Sequence, residues 1–190
     1  MHKPLDRMME YAALLRGVNV GGNKLIKMDQ LRALCESLGL SGAQTYLQSG
    51  NVVFRSEEKN REKLAQRIEG GIEKKFEFAA RVVVRSSVDL RRVIAKNPFK
   101  AAKTPNLSSF LVMFLDGKPA LQAFAELRGS YKGPEEMHLA GEELYIYYTN
   151  GVGKSKLTND LIQRKLQVTG TARNWNTVQA LLELTIALQG

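Results

Sequence analysis

Two successive stretches of this chain run through the same order of strand-like and helix-like patterns, and that repetition limits the fold more than any other feature. In the first half, residues 11–15 form a continuous apolar run that ends at a glycine-rich loop, Arg16 to Lys24. Met28, Leu31, Leu34, Cys35 and Leu38 then recur at helical spacing, and Gly39 stops the helix. Residues 45–48 and 52–55 read as a hairpin around the turn-forming trio Ser49-Gly50-Asn51. Leu64, Ile68 and Ile72 give residues 57–76 one apolar stripe, and six acidic and six basic residues between Glu57 and Glu77 mark a solvated face. Val82, Val83 and Val84 make 81–85 a strand. A helix from Ser87 then runs towards Asn97 and ends at Pro98.

The second half follows suit. Residues 110–115 are a strand, and Pro119 opens a helix with Leu121, Phe124 and Leu127 on one face. Residues 136–139 and 144–148 form a hairpin around Ala140-Gly141-Glu142. Leu157, Leu161, Ile162 and Leu166 predict a helix over 155–166, followed by a short strand over 168–173. Asn176 or Thr177 is the expected cap of a last helix that buries Val178, Leu181, Leu182 and Ile186. The expected fold is therefore α+β, with two tandem ferredoxin-like (βαββαβ) subdomains, each with an extra C-terminal helix. The subdomains are placed at 10–98 and 107–190 and are expected to pack together, with 99–107 as the boundary.

Composition narrows the chemistry. Cysteine occurs once, at Cys35, so no intramolecular disulfide can form, which fits a reducing, cytoplasmic setting. Histidine occurs twice, at His2 and His138. A histidine-rich zinc site lacks ligands, and a Ser-His-Asp device would rest on His138 alone. Cys35 lies on an apolar stripe and reads as core, and Glu135, Glu136, Glu142 and Glu143 read as solvated charges flanking a hairpin. No apolar stretch approaches the ~18 residues of a membrane span, and residues 1–9 read as a ragged leader without a signal-peptide core. Of the net charge of +9, residues 105–190 contribute nothing, with eight basic and eight acidic side chains, so the excess lies wholly in 1–104. It is densest in Arg81, Arg85, Arg91, Arg92, Lys96, Lys100 and Lys103, set against Asp89 alone. Such a field attracts polyanions, nucleic acid among them.

Three loops concentrate polar donors. The first, 16–24, offers Arg16, Asn19 and Lys24 among glycines that allow backbone amides to turn towards a ligand. Its structural alternative is a loop that simply needs positive φ at Gly21 and Gly22. The second, 150–156, reads Asn-Gly-Val-Gly-Lys-Ser-Lys before a predicted helix, the geometry that holds phosphate on backbone amides. Gly153-Lys154-Ser155 matches the end of a Walker A motif, but Tyr148 stands where its first glycine belongs. That argues against an ATP-hydrolysing loop and leaves a weaker anion site or a helix start capped by Ser155. The third, 171–177, sets Arg173, Asn174 and Asn176 around Trp175, suited to gripping an anion or stacking on a base; the alternative is a core tryptophan beside a helix cap.

Five of these runs together resemble a known family: residues 14–22, 46–54, 97–99, 150–157 and 171–177. They are similar to the signatures of a bacterial family known as a domain of unknown function, numbered 1697. The resemblance spans nearly the whole chain from Tyr11 onward and implies an α+β fold of two related subdomains. It implies no activity, no cofactor and no catalytic residues.

The leading expectation is a protein that holds a phosphate- or carboxylate-bearing ligand in a cleft between the lobes. Arg16, Asn19, Lys154, Ser155, Lys156, Arg173 and Asn174 would contact the anion, and Gln48, Ser49 and Asn51 would orient the rest. The alternatives are a nucleic-acid-binding module using the basic N-terminal lobe and an interaction scaffold with no small ligand. No reaction, cofactor, metal or oligomeric state is assigned.

Overall fold

A computed structural model describes residues 8–99 and 106–189. The basic side chains Lys100 and Lys103, most of the expected boundary and nearly all of the leader lie outside the described residues. The architecture is mixed α and β, with two four-stranded antiparallel sheets and six α-helices among the described residues.

The first half gives β1 (Met9–Leu15), α1 (Met28–Ser37), β2 (Ser41–Tyr46), β3 (Asn51–Ser56), α2 (Arg61–Phe76), β4 (Val82–Ser86) and α3 (Ser87–Ala95). The second gives β5 (Phe110–Leu115), α4 (Leu121–Ser130), β6 (Glu136–Ala140), β7 (Glu143–Tyr147), α5 (Asn159–Leu166), β8 (Gly170–Asn174) and α6 (Trp175–Ala187). The sheets are ordered β2-β3-β1-β4 and β6-β7-β5-β8, so the same strand is central in each half. β1 and β5, the apolar first strand of each half, are buried along most of their length and pair with a neighbour on each side. Leu64, Ile68 and Ile72 of α2 and Leu31, Leu34 and Cys35 of α1 are buried with one face of the first sheet. Ile162 and Leu166 of α5 and Leu127 of α4 join Met113, Leu115, Leu144 and Ile146 in the corresponding core of the second.

The chain divides into two compact units. One is Arg92–Gln179. The other runs to Arg91 and takes in the chain again from Ala180. Within that unit Leu188 lies against Gly42, and the Gln189 amide donates to Glu10 of β1 at 2.9 Å.

Several local expectations are corrected. The helix predicted over 155–166 starts only at Asn159, where the Thr158 hydroxyl caps it by accepting from the Leu161 amide. The last helix starts at Trp175 and is capped by Asn174, which accepts from the Thr177 amide at 2.9 Å, rather than by Asn176 or Thr177. Leu121 and Ile186 are exposed rather than on a buried stripe. Trp175 is core, stacked on Phe110 with centroids 4.5 Å apart.

Candidate ligand site

The ten residues expected to touch a ligand fall five in each unit. In the first, β1 runs into the 16–27 loop, and the β2–β3 turn lies at the same end of the sheet, because Leu14 pairs with Asn51. Asn19 ties the two together. Its side-chain amide donates to the carbonyls of Ile26 (2.9 Å) and Gln48 (2.7 Å), and its Oδ1 accepts from the Ile26 amide (2.8 Å). Asn51 is fully buried and donates to the Tyr46 carbonyl and the Ser49 hydroxyl. The loop's own turns consume its amides as well: Asn19 N–H donates to Lys24, and Asn23 N–H to Val20. Arg16 extends the sheet by donating its backbone amide to Arg81. Asn19 and Asn51 are thus braces between loops, and Gln48 is braced through its backbone.

Two of the seven basic residues between Arg81 and Lys103 are also engaged within the fold. Arg85 is buried, with its guanidinium on the Val84 carbonyl, and Arg81 pairs with Glu69 at 3.5 Å.

In the second unit, Arg173 is buried on β8, and its guanidinium donates to the Thr171 hydroxyl (2.7 Å) and the Ala172 carbonyl (2.9 Å). Burial of the charge pulls its pKa down to about 10. Asn174 is occupied as the α6 cap. Neither lines the concavities around Lys154.

Those concavities form around the segment between β7 and α5. Tyr148 is buried, and its phenol donates to the Leu157 carbonyl at 3.2 Å; burial pushes its pKa up to about 12. From there the chain turns at Gly151 (φ 82°) and makes one 3-10 turn over Val152–Lys154. The amides of Gly151, Lys154 and Ser155 donate to carbonyls three residues back. Those three amides are therefore turned inward, and Lys154 and Lys156 carry the positive charge of the segment.

A cavity of about 570 Å³ lies beside this segment, lined by Tyr131, Lys132, Glu135, Lys154, Lys156 and Leu161 among others. Three lysines and one carboxylate line it, with the Lys132 ammonium donating to the Gly129 carbonyl at 2.8 Å. Among the described residues neither the Lys154 nor the Lys156 ammonium has an acidic partner. Glu135 is half-buried and already satisfied, accepting from the Ser155 hydroxyl and, at 2.6 Å, from the Tyr131 phenol. Burial alone would raise its pKa, but these two donors outweigh that and hold it below the usual carboxylate value. The Tyr131 pKa is raised in turn, by burial and by its bond to Glu135. Ser155 also accepts from the Leu157 amide at 2.9 Å, so its hydroxyl locks the loop to Glu135. A second concavity of about 750 Å³ shares Asn150 and Lys154 with the first.

Two expectations about carboxylates are corrected here. Glu143 is buried, and Glu135 faces a cavity rather than bulk water. Glu135 and Tyr131 are the site residues that sequence reasoning missed. No regular periodicity marks them, since both lie beyond the end of α4 and Ser155, which completes the contact, is twenty residues further on.

The donor-rich loops do not occupy equivalent places in the two halves. The first follows the first strand of its sheet and the second follows the third strand of its own. First and third strands are antiparallel, so these loops leave opposite ends of similarly ordered sheets. Among the described residues no helix is long and apolar enough to cross a membrane, and no group of three or more His, Cys, Asp or Glu is placed to hold a metal ion.

The sequence model of a family described as "Protein of unknown function (DUF1697)" matches residues 8–145. No curated protein matches the chain. Among solved structures, a conserved bacterial protein from Streptococcus pneumoniae is similar over 94% of this chain and 99% of its own, with a TM-score of 0.74 and 22% identity. At that identity the likeness concerns the fold.

Proposed function

Since the chain belongs to the DUF1697 family, whose description assigns no activity, we propose from local geometry that the second unit binds a small anionic ligand, phosphate- or carboxylate-bearing, at Lys154 and Lys156. The observation that carries this reading is the pair of lysines on the wall of one cavity that have no acidic partner among the described residues. Both lysines are exposed, so their attraction for an anion is screened by water and salt, and it is the two ammonium groups acting together on one ligand that give the grip. Glu135 stays charged and offsets one positive charge at most, while three lysines line the same cavity. Tyr131, Pro134 and Leu161 supply an apolar wall for the body of the ligand, a common composition for small-molecule sites of this volume.

We also read each unit as ferredoxin-like and the two as copies of one ancestral unit. The repeated βαββαβ order and the shared 2-3-1-4 arrangement of strands support this. The lone, buried Cys35 supports a reducing, cytoplasmic location.

Thermal unfolding with phenyl phosphate and inorganic pyrophosphate tests the anion reading. A ligand at a hundred times its dissociation constant adds about 2.7 kcal/mol, a rise of several degrees for a chain of this size. Lys154→Ala with Lys156→Ala should abolish the rise without lowering the melting temperature of the unliganded protein. Wild type that is indifferent to both compounds at ten millimolar would sink the proposal.

A further inference from the structure

The anion grip uses one side of Lys154, and the concavity on the other side has a different chemistry. It is lined by Asn106, Ser109, Tyr147, Thr149, Asn150 and Lys154. Ser109 and Tyr147 are set by neighbouring strands, since Tyr147 pairs directly with Phe110, the residue after Ser109. Ser109 is only 8% exposed, and its carbonyl accepts from the Tyr148 amide at 2.9 Å, which fixes its backbone. Yet among the described residues its hydroxyl has no hydrogen-bond partner, nor has the Tyr147 phenol or the Asn150 side-chain amide. Thr149 donates to the Pro134 carbonyl at 3.0 Å and keeps its capacity to accept.

These groups share one property. Each of the hydroxyl, phenol and amide side chains can both donate and accept, which matches a ligand hydroxyl group and serves an apolar or purely anionic body poorly. These side chains are open to solvent at the concavity, Asn150 and Thr149 being exposed and Tyr147 half-buried, so a ligand hydroxyl can take the place of water on each of them. Lys154 stands on the rim shared by the two concavities.

Resting on the reading of Lys154 and Lys156 as an anion grip, we infer that the ligand is a phosphorylated sugar or similar polyol phosphate. Its phosphate sits at the two lysines, and its hydroxylated body passes across Lys154 to Ser109, Tyr147 and Asn150. Selectivity among phosphate esters then comes from the second concavity, because an ester that covers these side chains without hydroxyls of its own strips them of water and returns no hydrogen bond.

Titration calorimetry with glucose 6-phosphate and phenyl phosphate separates this inference from the reading beneath it. Wild type should bind the sugar phosphate at least tenfold more tightly. Ser109→Ala with Tyr147→Phe should lower sugar-phosphate affinity about tenfold and change phenyl phosphate affinity by less than twofold. Lys154→Ala should weaken both. Equal affinity of the wild type for the two esters overturns the polyol assignment while leaving the anion grip intact. Binding of neither ester overturns both. The wild-type comparison needs no variant, and the single Ser109→Ala change, which removes a hydroxyl without a hydrogen-bond partner among the described residues, repeats the test should the double variant unfold.

Discussion

Removing both hydroxyls that Glu135 accepts, by Ser155→Ala with Tyr131→Phe, tests whether that carboxylate fixes the shape of the cavity. A hydrogen bond to a charged group is worth roughly 1.5–3 kcal/mol when shielded. Glu135 is only half-buried, so about 1 kcal/mol for each bond is the sounder figure after solvent screening. Ser155→Ala also strips the Leu157 amide of its acceptor, adding about 1 kcal/mol. The double variant should therefore lose about 3 kcal/mol at pH 7. The pH dependence carries a sign. In the wild type the folded pKa of Glu135 is lowered, so its contribution is present above the unfolded value and lost as pH falls through the folded one. With both donors gone, burial, which raises the pKa, is opposed only by the Glu135 backbone amide. The charged carboxylate then contributes less at neutral pH, and less is lost in acid. The stability gap between wild type and variant should consequently shrink by about 1 kcal/mol or more between pH 7 and pH 3. Urea unfolding followed by fluorescence of Trp175, buried in the same unit, measures the gap at each pH. A gap that stays constant across that range, or one below about 0.5 kcal/mol at pH 7, would refute the reasoning.

Three further outcomes follow from the first unit. Asn19→Ala removes three hydrogen bonds at a residue with φ of 55°, and should cost about 2–3 kcal/mol in urea unfolding monitored by circular dichroism; Asn19→Gly should recover about 1 kcal/mol of that loss by relieving the backbone. Gly50→Ala puts a methyl 2.5 Å from Val18 Cγ2 and 2.9 Å from Leu15 Cβ at a φ of 75°, so about 3 kcal/mol should be lost in the same assay, and a neutral result would refute the packing described. Cys35 is fully buried, with its thiol pushed up to about 12 by burial and by Glu36; a disulfide reagent at pH 8 should therefore react only after unfolding, and stoichiometric labelling of the native protein would contradict its place in the core.

Strand and helix identities were legible because burial writes itself into local periodicity. Val82-Val83-Val84 could only be a strand covered on both faces, and the stripe of Leu64, Ile68 and Ile72 could only be one side of a helix. The start of α5 misled because Leu157 is buried and continues the helical spacing. Its burial comes instead from a short Ser155 turn, in which a side chain replaces the backbone bond a helix would have made. Of the site, the lysines were legible as charge beside glycine. Glu135 was not, since its partners stand four and twenty residues away and no local pattern encodes a contact across that span. Nor does composition distinguish a brace from a ligand group. Asn19 and Asn51 have the residue type of a binding loop, and only their hydrogen bonds reveal that they serve the loops themselves.

The return of the chain to the first unit has a bearing on how this protein can be taken apart. A cut between the two repeats would leave Glu10 without Gln189 and Gly42 without Leu188. An excised N-terminal half is then expected to expose apolar surface and to fold poorly until residues 180–189 are supplied as a separate peptide. Complementation of that kind, rather than independent folding of each half, is the behaviour to look for when the repeats are dissected.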